Sequence, residues 1–339
     1  PASFVYWGFS YKKLHGHHRL SIKPRSSICR SYIVSSLPQA RGPTQLDKSQ
    51  GLNFVTKDID TLVLDCDGVL WRGDKLLYRT TEALNTLRAL GKRLLFLTNN
   101  ASKSRLQYKS KFESLGIQVH ASEIVPASYC AAAYLQSLCF PLHKTVLLIG
   151  NTGVEQELNQ AGISYVGGES DFFPDMCSPS DIEAIKVDPS IGAVVVGFDP
   201  RFSYSKLAYA TACLRELPGC RFVLTNGDHG DKVGGGRIMP GTGAISAAIE
   251  TSSGRKPVTV GKGGPWLLPW LCEHYGLEDT RRVCIVGDRL DTDIALGKQG
   301  GLRTVLPLTG VTSLEDLQAA GEEQLPDFYV PNLATLAGL

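Results

Sequence analysis

The chain has 339 residues, 43% of them hydrophobic and 20% charged, with a net charge of +2. This is ordinary globular composition with enough length for two domains. No apolar stretch approaches the roughly 18 residues of a membrane span, and nine cysteines without a CxxC pair suggest neither a zinc ribbon nor a disulfide framework.

The charge is unevenly spread. Residues 1–46 hold no Asp or Glu, but carry Lys12, Lys13, Arg19, Lys23, Arg25, Arg30 and Arg41 among many serines. An acid-free, Ser/Arg-rich stretch has the composition of an organelle transit peptide. A basic nucleic-acid-binding arm is the rival reading, without a dense Lys/Arg run to support it, and a tail without a role is the third. We expect residues 1–50 to stand outside the fold, with an address in the chloroplast or, alternatively, the mitochondrion or cytoplasm.

The first element is the buried strand Thr61–Asp65, read from its unbroken apolar run. It leads into Asp65-Cys66-Asp67-Gly68. Carboxylates two residues apart lie on one side of an extended chain. At the carboxyl end of a parallel strand they point into the crevice where open α/β sheets bind ligands. Their repulsion calls for a shared proton or a hard divalent cation, although a strand that simply ends in an Asp-Gly turn has the same letters.

A helix follows over Thr80–Leu90, with Thr80 or Thr81 as N-cap and Gly91 as stop. Then come strand Arg93–Thr98 and helix Ser102–Leu115, closed by Gly116. A second alternating set runs over 122–227: strand Val146–Ile149, helix Val154–Gln160, strand Ile191–Gly197, helix Tyr204–Glu216 and strand Arg221–Thr225. Connections such as Phe173–Ser180 separate its elements. Strands Val258–Gly261, Arg282–Asp288 and Leu302–Leu306 then resume the first pattern. Such repetition implies parallel sheets with helices on both faces, here one core sheet interrupted by an insertion.

Three further groups lie at ends of predicted core strands. Thr98-Asn99 offers a hydroxyl and turn amides suited to phosphate oxygens, or an ordinary N-cap turn. Gly261-Lys262-Gly263-Gly264 places one lysine where it can approach an anion closely, or is a solvated loop; the spacing is not that of a Walker A loop. In Gly287-Asp288-Arg289-Leu290-Asp291-Thr292-Asp293, three carboxylates need a cation or Arg289 to be tolerated together. A helix N-terminus favoured by its dipole is the alternative. Gly241–Ser246 lacks the preceding strand and third glycine of a dinucleotide fingerprint.

In this order, and with these phrases, the chain resembles the haloacid dehalogenase-like phosphatases over about residues 60–310. Leu64–Trp71, Leu97–Asn100 and Gly287–Ile294 carry the resemblance. Val194–Asp199, Leu224–Asp228 and Pro240–Ala244 resemble the subgroup with a large C2-type cap, which includes 4-nitrophenyl phosphatase-like enzymes, pyridoxal phosphatases and eukaryotic phosphoglycolate phosphatases. The resemblance implies an α/β fold: a Rossmann-like parallel-sheet core (57–121 and 228–339) with an inserted α/β C2-type cap (122–227).

It further implies that Asp65 is a nucleophile forming an aspartyl-phosphate, and that Asp67 is the acid/base. Mg²⁺ would be held by Asp65, the Asp67 carbonyl and Asp288, and Thr98, Asn99 and Lys262 would bind the phosphoryl group. Asp293 would orient Lys262 or a metal-bound water. The partner expected is a small phosphorylated substrate, with no nucleic acid or membrane, in a monomer or a homodimer through the cap. 2-Phosphoglycolate, a photorespiratory product, is the leading substrate, with pyridoxal phosphate or another small phosphomonoester as alternative. A protein that binds a phosphorylated ligand without hydrolysing it is the remote one.

The family usually has Gly-Lys-Pro where this chain has Gly261-Lys262-Gly263, which implies a looser lysine loop and a helix starting at Pro265. Pro269 is then an irregularity inside that helix. Cys66, between the two aspartates, is a candidate for oxidation sensitivity.

Overall fold

The structure, a computed structural model, describes residues 42–169, 173, 175, 176, 178–232 and 236–339. Among these, seven strands form a core sheet in the spatial order Thr44–Gln45, Phe328–Val330, Arg303–Pro307, Val283–Val286, Thr61–Leu64, Arg93–Thr98, Ile124–Pro126. Every neighbouring pair is parallel. From Thr61–Leu64 the chain builds outward in one direction through Arg93–Thr98 and later in the other through Val283–Val286. That reversal is the switch point at which open α/β sheets bind ligands.

The strand sequences follow from burial on both faces. Leu62, Leu64, Leu94 and Phe96 pack with Leu84, Leu87 and Phe112 on one side. Val63, Leu95 and Leu97 alternate to the other side, with Ala131, Leu135 and Leu271. A period of two with two apolar destinations leaves no polar position. The helices are closed by local chemistry: Ser104 and Gln107 form a reciprocal cap at the start of helix Arg105–Ser114, which satisfies two amides that have no partner within the helix.

A second sheet has five strands in the order Val258–Thr259, Arg221–Leu224, Ile191–Val196, Thr145–Ile149, Tyr165–Gly167, again all parallel. Helices Tyr204–Glu216 and Thr242–Ser253 cover one face through Ala210, Cys213 and Ile249. The opposite face, with Val146, Leu148, Val195 and Val223, shares a hydrophobic cluster with the core sheet's Leu95 and Val125. The α/β core with an inserted α/β cap is thus the observed architecture.

Several boundaries differ from expectation. Thr44–Gln45 is an edge strand of the core and Leu46 is buried. Asp47 and Gln50 cap helix Lys48–Asp58 reciprocally. The fold therefore begins before residue 50, while residues 1–41 lie outside the described residues. Ile124–Pro126 pairs in the core sheet. Val258–Thr259, expected in the core, pairs with Arg221–Leu224 and carries the second sheet well past 227. A two-residue strand has too few side chains to reveal which sheet it joins. The connection Phe173–Ser180 falls partly outside the described residues.

Helix Thr80–Ala89 is capped by Arg79 at φ 51, not by Thr80 or Thr81. The Thr80 hydroxyl lies within hydrogen-bond distance of the carbonyls of Leu70 and Leu77. The helix expected at Pro265 starts at Leu267 instead. Pro269 is its third residue, where backbone N–H groups have no partner within the helix, so a proline there forfeits no hydrogen bond.

Candidate active site

The core strands deliver their side chains to one carboxyl edge. The Asp65 amide donates to the Val286 carbonyl at 2.9 Å, extending the ladder one step beyond Leu64 and fixing the carboxylate above the sheet. The chain then turns sharply. Leu70 and Trp71 donate to the Cys66 carbonyl, and Gly68 N–H returns to the Trp71 carbonyl at 2.8 Å. Gly68 has φ 84, and a Cβ there would overlap the Asp288 carboxylate. Only glycine lets the Asp65–Gly68 loop and Asp288 approach this closely.

Asp65 is buried, at 7% exposure, whereas Asp67 is exposed and its Oδ1 accepts from Trp71 Nε1 at 2.9 Å. Trp71 belongs to a short hairpin, Trp71–Arg72 with Lys75–Leu76. Arg72 Nη2 donates to the Thr309 carbonyl at 2.8 Å, and Thr309 Oγ1 donates to the Gly68 carbonyl at 2.6 Å. The hairpin, the Asp65–Gly68 loop and the loop after strand Arg303–Pro307 are therefore laced together.

Lys262 reaches the site from the end of the second sheet. Its Nζ donates to Asp65 Oδ1 at 2.6 Å and to Asp293 Oδ1 at 2.8 Å, fully enclosed. Its own amide donates to Asn99 Oδ1 at 2.8 Å. A Cβ on Gly261 would run into the Thr225 carbonyl and Asn99. Gly263 sits at φ 92 with open space around it, a value closed to proline, whose ring holds φ near −65°. The Gly263 loop thus follows a different path from any Gly-Lys-Pro loop, and Lys262 is nonetheless pinned by two carboxylates and an amide bond.

Asp288 follows strand Val283–Val286. Its Oδ2 accepts from Val311 N–H at 2.6 Å, and Thr312 N–H donates to its carbonyl at 3.2 Å. A Cβ on Gly310 would overlap the same carboxylate. Asp293 lies on the wide helical turn Leu290–Ile294 and accepts from Arg289 N–H at 3.3 Å. A Cβ on Gly287 would collide with it. Asp291 turns outward and pairs with the Arg289 guanidinium at 3.1 Å, so this heptapeptide sends two carboxylates inward and one to solvent.

Thr98 closes its strand, buried, with Oγ1 accepting from Asn100 N–H at 3.2 Å. The Asn99 side chain is committed to protein: its Nδ2 donates to Asp228 at 3.1 Å, and Asn226 Nδ2 donates to the Asn99 carbonyl at 2.8 Å. These bonds stitch the core loop to the second sheet's Asn226–Asp228 loop.

Carboxylate oxygens of Asp65, Asp288 and Asp293 lie within 4.8 Å of one another. Burial pushes the Asp65 carboxyl up to about 7, with Lys262 opposing and Asp288 adding to the rise. Burial likewise lifts Asp293 to about 6 against the pull of Lys262, and lifts Asp288, with Asp293 adding to it. Burial alone would lower Lys262, but Asp293 and Asp65 outweigh it and raise the ammonium above its ordinary value. Three carboxylates thus face one ammonium, with oxygen as the only donor type: this fits a hard divalent cation. Cys66 is fully enclosed, and burial, then Asp65 and Asp67, push its thiol well up. A reactive thiol is the reverse, exposed and easily ionised.

Sequence reasoning did not find Trp71, Gly310, Val311, or the bond from Asn99 to Asp228. Gly310 is conspicuous only through the Cβ it lacks. Trp71 carried one signal, its position four residues after Asp67 in a loop that doubles back.

Comparison with known proteins gives the same picture. Residues 62–164 match a haloacid dehalogenase-like hydrolase family and residues 259–336 a second family of the same hydrolases. The chain is 42% identical over 302 residues to the chloroplastic phosphoglycolate phosphatase 1A of Arabidopsis thaliana, covering 88% of this chain and 81% of the relative. The crystal structure of a 4-nitrophenylphosphatase from Thermotoga maritima superposes with a TM-score of 0.69 at 32% identity, covering 84% of this chain and 98% of that one. A glycerol phosphate phosphatase from Mycobacterium tuberculosis, in complex with magnesium, superposes with a TM-score of 0.68 at 28% identity, covering 83% and 77%.

Proposed function

The chain belongs to the haloacid dehalogenase-like hydrolases and is a phosphomonoester hydrolase, and on that premise we propose that it hydrolyses 2-phosphoglycolate through an aspartyl-phosphate on Asp65. The observation that carries the mechanism is the enclosure of Asp65, Asp288, Asp293 and Lys262 at the switch point, with the exposed Asp67 two residues beyond Asp65. A module that only binds a phosphorylated ligand has no need of a buried nucleophile.

Asp65 attacks phosphorus: an O–P bond forms, and the P–O bond to the leaving group breaks. Asp67 gives its proton to the departing alkoxide. Asp67 then takes a proton from water as that water attacks phosphorus, breaking the Asp65 O–P bond and releasing inorganic phosphate. Thr98 Oγ1, the Asn99 amide and Lys262 Nζ are the donors for phosphoryl oxygens. The Asn99 side chain instead holds Lys262 and Asp228 in place. Mg²⁺, held by the Asp65 and Asp288 carboxylates and the Asp67 carbonyl, would supply the positive charge that stabilises the transferring phosphoryl group. Asp293 fixes the Lys262 ammonium.

The substrate reading is supported by the likeness to the Arabidopsis phosphoglycolate phosphatase. The acid-free leader and the chloroplastic relative together support a plastid location, and a homodimer through the cap is part of the same reading. A purified-protein panel with Mg²⁺, comparing kcat/KM for 2-phosphoglycolate, glycerol 3-phosphate, pyridoxal phosphate and 4-nitrophenyl phosphate, tests the substrate. 2-Phosphoglycolate is expected to lead. A lead by glycerol 3-phosphate or pyridoxal phosphate overturns the substrate but keeps the chemistry, and no turnover of any ester overturns both.

A further inference from the structure

The Trp71 indole is completely enclosed, at 0% exposure, yet its one polar atom points at the exposed carboxylate of Asp67. Nε1 donates to Oδ1 at 2.9 Å. Everything around the indole restrains it. Phe112 meets it edge-on with ring centroids 4.8 Å apart. Lys111 Nζ stands 4.4 Å from the ring centroid and donates to the Gly73 carbonyl at 3.0 Å. The Trp71 backbone is bonded to Cys66 and Gly68 in the loop that carries Asp67. An exposed aspartate ordinarily samples several rotamers, whereas one anchored to a rigid indole does not.

We propose that Trp71 is the positioning residue for proton transfer by Asp67; this rests on the acid/base reading of Asp67 above. The indole N–H is a donor only, so it pairs with an oxygen that offers a lone pair. With Oδ1 accepting from the indole, the proton of the acid form is carried on Oδ2, and that oxygen delivers it to the leaving group. Trp71 thereby fixes both the carboxyl's orientation and the oxygen that delivers the proton. Misorientation of a general acid matters most when the leaving group is a poor one, because only then is its proton needed as the bond breaks.

The test compares kcat/KM, which reports steps up to leaving-group departure, for an alkyl phosphate and for 4-nitrophenyl phosphate, whose phenolate leaves without a proton. The alkyl ester is 2-phosphoglycolate or glycerol 3-phosphate, whichever is turned over faster. Trp71→Phe is expected to lose about tenfold or more on the alkyl phosphate, a fraction of the 10²–10⁴ that a general acid contributes, and little on the nitrophenyl ester. Site-specific replacement of Trp71 by 3-benzothienylalanine removes the N–H while keeping the bicyclic shape, and is expected to reproduce the selective loss even if the phenylalanine variant folds poorly. Equal losses on both esters, or none on either, in a folded variant overturn the proposal. Asp67→Asn serves as reference. If it discriminates between the esters and the Trp71 variants do not, the positioning role alone falls; if it does not discriminate, the acid/base reading falls and takes the positioning role with it.

Discussion

Two buried lysines in this molecule make the same bond and live in opposite circumstances. Lys206, in the inserted cap, donates to Asp199 at 2.6 Å with both side chains enclosed. Asp199 spends its other oxygen on the Arg201 amide at 2.8 Å. Lys262 donates to Asp65 at the same 2.6 Å, but shares itself with Asp293 and sits beside Asp288. One cluster is neutral and saturated. The other holds three carboxylates for one ammonium; burial raises the pKa values of Asp65, Asp288 and Asp293, and their neighbouring carboxylates add to the rise. A buried ion pair by itself is therefore no sign of function here. An unbalanced one points to function, because its excess negative charge has to be relieved by a proton, a cation or another bound group.

The contrast can be broken experimentally, most severely at Asp65, the proposed nucleophile. Asp65→Asn should abolish turnover, by at least about 10⁴-fold as for other covalent nucleophiles, without loss of thermal stability; kcat together with Tm checks this, and wild-type turnover would sink the mechanism. Lys262→Met should cut kcat/KM by about 10²–10³-fold through loss of phosphoryl stabilisation, and part of its stability loss should be recovered by Mg²⁺, which screens the exposed surplus.

Asp199→Ala, in the balanced cluster, strands Lys206 and should cost about 3–5 kcal/mol of stability, measured by denaturant titration. The folded fraction should keep wild-type kcat, and Mg²⁺ beyond the wild-type response should not rescue it. Gly310→Ala, which crowds Asp288, should weaken Mg²⁺ activation about tenfold, within the range seen when groups supporting a metal ligand are disturbed. The smallest expected effect is in chelator. There Asp288→Asn should raise Tm slightly, because removing a surplus charge relieves repulsion, while the balanced Asp199→Asn lowers it.

How much of this was readable in the sequence follows from range. Asp65, Thr98, Lys262 and Asp288 stand at or just beyond the ends of apolar runs, and an apolar run buried on both faces announces its own end, so the strand edge and most of the candidate site were legible. The inward Asp288 and Asp293 and the outward Asp291 look alike as letters; the family resemblance singles out the first two, and the folded loops supply the physical reason, an amide partner for each of them and the Arg289 guanidinium for Asp291. Val258–Thr259 was placed in the wrong sheet because its partner Leu224 is distant in the chain and the strand is too short to display a pattern. Trp71 and Gly310 act through contacts made by a doubled-back loop and by an absent methyl, neither of which leaves a periodic trace.

The geometry at Gly263 restricts which substitutions the lysine loop can accept. With φ at 92, the position lies outside the conformations that proline can adopt, so Gly263→Pro would drag Lys262 away from Asp65 and Asp293. A one-letter return to the usual family wording is closed unless the loop from Gly261 to Leu267 is rebuilt with it. Glycine there is held in place by the path of its own backbone, and a substitution at this position acts through the loop conformation before it acts through any side chain.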